Sequence, residues 1–139
     1  MAVCSNPYIT SSQIPAPCGK CDGCLVNRKR LWTHRIILES YGHDKNCFVT
    51  LTYDDDNLPL NNDGIPTLVP EHLKMFHKNL RNKIGPFRYY SVGEYGTAGE
   101  RGINPHFHLC LFGVGEEQSD EICLSWPLDR DWETVQFCF

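Results

Sequence analysis

Pro105-His106-Phe107-His108 is the segment whose residue types and spacing point most directly at chemistry. Side chains of an extended strand alternate between faces, so His106 and His108 project from the same side and can chelate one ion. The pair also fits a simpler reading, two polar residues on a solvent-facing strand. A third donor separates the two. If the preceding strand pairs antiparallel with Glu94 opposite His106, then Val92 faces His108, Tyr90 faces Cys110 and Arg88 faces Phe112. Glu94 then reaches both imidazoles, because directly opposite Cβ atoms stand about 5 Å apart. Two imidazoles and one carboxylate form a facial set that leaves positions open on Mg²⁺ or Mn²⁺. Open positions are what a Lewis acid acting on a phosphate requires. A one-residue slip would turn Glu94 to the other face.

A second cluster lies near the N-terminus. Cys18-Gly-Lys-Cys21-Asp-Gly-Cys24 offers three thiolates within seven residues, and Cys4 offers a fourth. Four thiolates suit a closed tetrahedral zinc site tying the N-terminus to the following helix. The bacterial iron–sulfur run needs a further cysteine where this chain has Arg28. Free thiols in a polar turn are the plainer alternative. Of the eight cysteines, Cys47, Cys110 and Cys123 fall in apolar runs and read as small hydrophobes. A disulfide framework is not expected of a reducing cytosol.

Charge is unevenly spread. Residues 116–133 hold seven acids and one base, a balance of −6, which leaves residues 1–115 at +2 out of the total of −4. Arg28, Lys29, Arg30 and Arg35, with Lys74, Lys78 and Arg81, are the candidate phosphate contacts, since clustered charge sets the local field. Arg28, Lys29 and Arg30 read equally as a solvated helix face. With 41% hydrophobic and 22% charged residues, disorder is excluded for the chain as a whole. No apolar run approaches the roughly 18 residues of a membrane span, and the first residues lack the pattern of a signal peptide. A soluble cytoplasmic protein without membrane partners is the expectation.

These donors need elements to hold them. Asp22 is placed as the cap of a helix from about Cys24 to Tyr41, with Gly42 as its stop. Asn46–Tyr53 is β-branched and aromatic, with Cys47, Val49, Leu51 and Tyr53 on one face and Phe48, Thr50 and Thr52 on the other. Pro70 opens a helix that ends near Ile84, before Gly85-Pro86, and Leu73, Phe76, Leu80 and Ile84 form its apolar stripe. His72 and His77 beside that stripe are expected at the surface or its boundary. Strands follow at Phe87 to about Tyr95 and at Asn104–Phe112, joined by a glycine-rich loop ending at Gly102. Adjacent strands favour an α+β fold: an antiparallel β-sheet flanked by helices, with a Cys-rich N-terminal segment.

Phe48-Val-Thr-Leu-Thr-Tyr53, Gly93-Glu-Tyr-Gly96 and Pro105-His-Phe-His-Leu-Cys-Leu-Phe-Gly113 resemble the first motifs of the HUH-superfamily replication initiators. Pro17-Cys-Gly-Lys-Cys21-x-x-Cys24 and Arg30-x-Trp32-x-x-Arg35 extend the resemblance to the initiators of gokushoviruses, small single-stranded DNA phages of the Microviridae. The resemblance implies an HUH/RRM-like sheet, a Mg²⁺ or Mn²⁺ ion on Glu94, His106 and His108, and rolling-circle initiation in a bacterial host cytoplasm. Single-stranded origin DNA and host replication proteins are the implied partners. It also implies a tyrosine nucleophile on a helix after the histidine strand, in a pattern such as Tyr-x-x-x-Lys. After Phe112 this sequence has neither tyrosine nor lysine, and the one Tyr-x-x-x-Lys string starts upstream at Tyr41. The expectation is therefore a C-terminally incomplete HUH domain. Residues 1–115 form its N-terminal part (1–27 Cys-rich, 46–112 the sheet with the metal site), and 116–139 form an acidic, divergent tail. A non-cleaving, prophage-derived binder of origin DNA is the alternative to an active nickase.

Overall fold

The computed structural model of the chain describes residues 2–96, 103–129 and 136–138. The chain divides into two compact units, Met1–Gly42 and His43–Phe139.

The N-terminal unit holds a short antiparallel ribbon, β1 (Tyr8–Ile9) with β2 (Pro15–Ala16), and a long helix, α1 (Asp22–Tyr41). Cys21, not Asp22, is the capping residue of α1, and no side chain caps the helix. Cys21 is still extended at ψ 161°, whereas Asp22 is already helical. Its carboxylate therefore acts as an acid in the first turn, where it meets the positive end of the helix dipole.

The C-terminal unit is α+β. Strands β3 (Asn46–Leu51), β4 (Arg88–Glu94), β5 (His106–Phe112) and β6 (Gln136–Cys138) form one antiparallel sheet in the order β4-β5-β3-β6. Alternation along the strands sorts its two faces. Cys47, Val49 and Leu51 of β3, with Phe107, Leu109 and Leu111 of β5, are buried on one side. Helix α2 (Pro70–Ile84) packs Phe76 and Leu80 into the same core. Its bounds follow from Pro70 at the first helical position and from Gly85, whose φ of 87° ends the helix in a conformation that other residues resist.

A short helix, α3 (Ser119–Leu124), does not follow from the acidic composition of its segment. Ile122 and Trp126 are fully buried in the core. The Trp126 ring lies 5.3 Å from Tyr53 and 6.2 Å from both Phe76 and Phe107, and its indole N–H donates to the Thr52 carbonyl. Cys47, expected as a plain small hydrophobe, is disulfide-bonded. Residues 97–102 of the glycine-rich loop and 130–135 of the acidic segment lie outside the described residues.

His77 is buried, against its expected place at the helix boundary. Its ring stacks on Tyr89 of β4 at 3.8 Å and meets Phe87 at 6.0 Å, so sheet packing extends past the apolar stripe of α2. Neither ring nitrogen has a partner among the described residues. Burial first, and then the Arg81 guanidinium, pull its pKa down to about 4 from the usual 6.5. The unfolded chain thus takes up this proton first on acidification. The stability tied to a neutral His77 is present above pH 6.5 and is lost as pH falls towards about 4. Denaturant unfolding across that window should show a shallower acid-side loss in His77→Leu than in the parent chain. Parallel pH profiles would remove His77 as a cause.

Candidate metal centre

The antiparallel register of β4 with β5 sets Glu94 opposite His106, Val92 opposite His108, Tyr90 opposite Cys110 and Arg88 opposite Phe112, as strand alternation in the sequence predicts. Beyond Glu94 the pairing continues through the Asn104 N–H, which donates to the Tyr95 carbonyl at 3.0 Å. The site therefore lies at one end of the hairpin, on the sheet face opposite α2.

Its donor atoms converge. The Nε2 atoms of His106 and His108 are 3.1 Å apart. Glu94 Oε2 is 3.8 Å from the first and 3.4 Å from the second. The imidazoles are sunk into the face at 14% and 27% side-chain exposure, whereas Glu94 is 59% exposed. The centre thus has a histidine floor and an open, acidic rim.

The other ring nitrogens fix the orientation. His106 Nδ1–H donates to the Asn104 carbonyl at 2.7 Å. A carbonyl can only accept, so Nδ1 carries the proton and Nε2 keeps its lone pair. His108 Nδ1 lies 2.9 Å from Thr50 Oγ1, a consequence of Thr50 pairing with His108 across β3 and β5. The Phe48 ring stacks on His108 at 5.4 Å and 26°. Thr50 and Asn104 are the functional residues that sequence reasoning misses. Alternation assigns Thr50 to the correct strand face, but its partner depends on strand order.

The remaining candidates sit elsewhere. The sulfurs of Cys4, Cys18, Cys21 and Cys24 form a second group, all within 4.8 Å of one another. Arg28, Lys29, Arg30 and Arg35 are on α1 in the N-terminal unit, with the Arg35 guanidinium 5.1 Å above the Trp32 ring. Lys74, Lys78 and Arg81 are on α2, behind the sheet from the histidines. Lys74 pairs with Glu71 at 3.5 Å, and the Arg81 guanidinium covers Phe87 and Tyr89 at 5.2 and 5.5 Å.

The tyrosines are similarly placed. Tyr8 and Tyr41 belong to the N-terminal unit, where Tyr41 is the last residue of α1. Tyr53 is in the core, its hydroxyl 3.1 Å from His72 Nδ1, and burial pushes its pKa up to about 12. The Tyr95 hydroxyl is 3.3 Å from Thr67 Oγ1. Tyr90 shares the face of the histidines, at the position opposite Cys110.

The family model for the replication-associated protein ORF2 group matches residues 46–137. The chain is similar to replication-associated protein ORF2 of Spiroplasma virus 4, 40% identical over 114 residues, which are 77% of this chain and 34% of that protein. It is similar to replication-associated protein ORF4 of Chlamydia phage 1, 30% identical over 113 residues, covering 78% of this chain and 26% of that protein. Replication-associated protein VP4 of Bdellovibrio phage phiMH2K is 34% identical over 105 residues, covering 69% and 31% of the two chains. The chain thus spans about a third or less of the length of these relatives. No solved structure matches it.

Because Thr50 reaches the centre only through His108, Thr50→Val should weaken Mn²⁺ binding by about 10- to 100-fold, the usual effect of removing a group that orients a ligand. Thr50→Ser should retain most of the affinity. Calorimetric titration of the three proteins checks this, and equal affinities would detach Thr50 from the centre.

Proposed function

This chain belongs to the replication-associated protein ORF2 family, and we propose that it is the metal-holding part of a replication initiator that nicks origin DNA in rolling-circle replication of a small single-stranded DNA phage. The observation that carries the reading is the convergence of Glu94, His106 and His108 on one point of the sheet face.

The donor set fits Mg²⁺ or Mn²⁺. Neighbouring ligands on an octahedral ion with bonds of about 2.1 Å stand about 3.0 Å apart. The observed separations of 3.1, 3.4 and 3.8 Å are close to that spacing before any ion draws the donors together. When bound, the ion would supply Lewis-acid polarisation of a scissile phosphate. The protein residues do the rest. His106 and His108 present neutral Nε2 donors, held in place by the Asn104 carbonyl and the Thr50 hydroxyl. With only Glu94 carrying charge, the three donors leave a divalent site net positive and thus attractive to a phosphodiester. The strand placement holds the floor rigid while the rim admits DNA.

Covalent nicking needs a tyrosine oxygen that attacks phosphorus, expels the 3′ oxygen and loses its proton to a base. Residues 113–139 contain neither tyrosine nor lysine. That observation favours a second reading, in which these residues bind origin DNA at the metal centre without cutting it. Under both readings DNA is the partner, with host replication proteins beside it, and the work is done in the host cytoplasm. Among the described residues no helix is long and apolar enough to cross a membrane.

End-labelled single-stranded oligonucleotides tiling the encoding genome, incubated with the chain and Mn²⁺, separate these readings. A denaturant-resistant protein–DNA adduct, absent in His106→Ala and Glu94→Gln, is the outcome expected of a nickase. Binding without an adduct supports the second reading. Mn²⁺ affinity unchanged in His106→Ala would overturn the metal centre under either. DNA affinity should also fall steeply with salt, and replacing Arg28, Lys29, Arg30 or Arg35 by alanine should lower the log–log slope by about 0.7 for each phosphate no longer engaged. A salt-independent affinity would remove these bases from the interface.

A further inference from the structure

We propose that Cys4, Cys18, Cys21 and Cys24 form a closed four-thiolate zinc site that folds the N-terminal unit. Their sulfurs are arranged as the corners of a tetrahedron around one ion would be. Cys18 and Cys24 Sγ are 4.0 Å apart, Cys4 and Cys21 Sγ are 3.8 Å apart, and all four lie within 4.8 Å of one another. Zn–S bonds of about 2.3 Å place the corners of a regular tetrahedron about 3.8 Å apart. These separations are far beyond the roughly 2.05 Å of a disulfide, and the four cysteines are free. They also leave room for a single ion but not for the several irons and sulfides of a cluster.

The backbone is arranged to support thiolates. The N–H of Cys18 points at Cys4 Sγ at 3.3 Å, and the N–H groups of Lys20 and Cys21 point at Cys18 Sγ at 3.5 and 3.4 Å. Gly19 makes that turn at a φ of 75°, a left-handed conformation that a side chain resists. Cys21 is the capping residue of α1 and Cys24 lies in its first turn, so two ligands sit at the positive end of the helix dipole. Arg28 donates to the Gly19 carbonyl at 3.3 Å and brings a full positive charge to the turn. A tetrathiolate zinc carries a net charge of −2, and these groups offset it.

The strand bearing Cys4 is strapped to the helix independently. Ala2 N–H donates to Asn27 Oδ1 at 3.1 Å, and Asn27 Nδ2–H donates to the Ala2 carbonyl at 2.8 Å. A Cβ on Gly23 would fall 2.2 Å from the Val3 carbonyl oxygen, so only glycine admits this approach. These interactions converge on the sulfurs and on no apolar core. Among the described residues of Met1–Gly42 the single buried one is Cys24. A unit this small without a core needs a staple, and a structural metal is one of the few available. Soft thiolates in tetrahedral array select zinc over the hard ions suited to Glu94 and the histidines.

Elemental analysis of the full chain, purified without chelator, tests the site. The parent chain and a His106→Ala/His108→Ala variant should each hold one zinc per chain. Cys21→Ser should lose it, and Cys21→His should keep it, because three thiolates and an imidazole also hold zinc. Exchange with Co²⁺ should give thiolate-to-cobalt charge transfer and intense tetrahedral d–d bands in the parent chain, a readout that does not depend on whether Cys21→Ser folds. A parent chain without zinc, iron in its place, an octahedral cobalt spectrum, or zinc lost with the histidines but kept in Cys21→Ser would each overturn the proposal.

Discussion

The antiparallel register of β4 against β5 decides both faces of the sheet at once. Because side chains alternate, placing Glu94 opposite His106 also places Phe107, Leu109 and Leu111 on the side that meets α2. A one-residue slip in β5 would drive His106 and His108 into the core and turn these three into solvent. Each large apolar side chain is worth about 1.5–3 kcal/mol on burial, so the slip would cost several such contributions and bury polar rings without partners as well. The metal centre therefore does not have to specify its own geometry. The hydrophobic effect on the opposite face holds the donors in place, and the bond between Asn104 and Tyr95 carries the register past the last pair.

Three adjacent strands contribute to the centre: β4 gives Glu94, β5 gives both histidines, and β3 gives Thr50 and Phe48. Since β5 lies between the other two, its side chains are fixed from both sides. The rigid part of the site is thus the histidine pair, and Glu94 on the edge strand is the donor with freedom to adjust. That division suits a site that must hold an ion firmly yet admit a phosphate along an exposed rim.

Local signals are legible in the sequence, and signals that depend on tertiary neighbours are not. The span Pro70–Ile84 follows from proline and glycine punctuation alone, and the β4–β5 register follows from alternation across a short connection. Alternation also places Thr50 on the right face of its strand, yet nothing local says that β3 adjoins β5. His77 is polar and beside the apolar stripe, so helical periodicity places it at the boundary; Tyr89 buries it from across the sheet. The segment from residue 116 onward reads as acidic, and its composition hides Ile122 and Trp126, which fill the core between Tyr53, Phe76 and Phe107. Average charge reports on a surface. It is silent about the two side chains that turn inward.

The two donor clusters differ in a way that keeps their chemistry apart. Zinc binds imidazole and carboxylate well, and the divalent series favours it over Mn²⁺ at almost any nitrogen or oxygen site. A chain with only the sheet site would be exposed to occupation by zinc. Four thiolates in a tetrahedral array offer zinc a softer, closed environment, whereas two imidazoles and one exposed carboxylate offer an incomplete shell. An incomplete shell is a poor permanent home for a structural ion and a good temporary one for an ion that must also accept a phosphate oxygen. Donor softness and shell closure, both set by residue type and local backbone, are enough to give the two clusters different roles within one short chain.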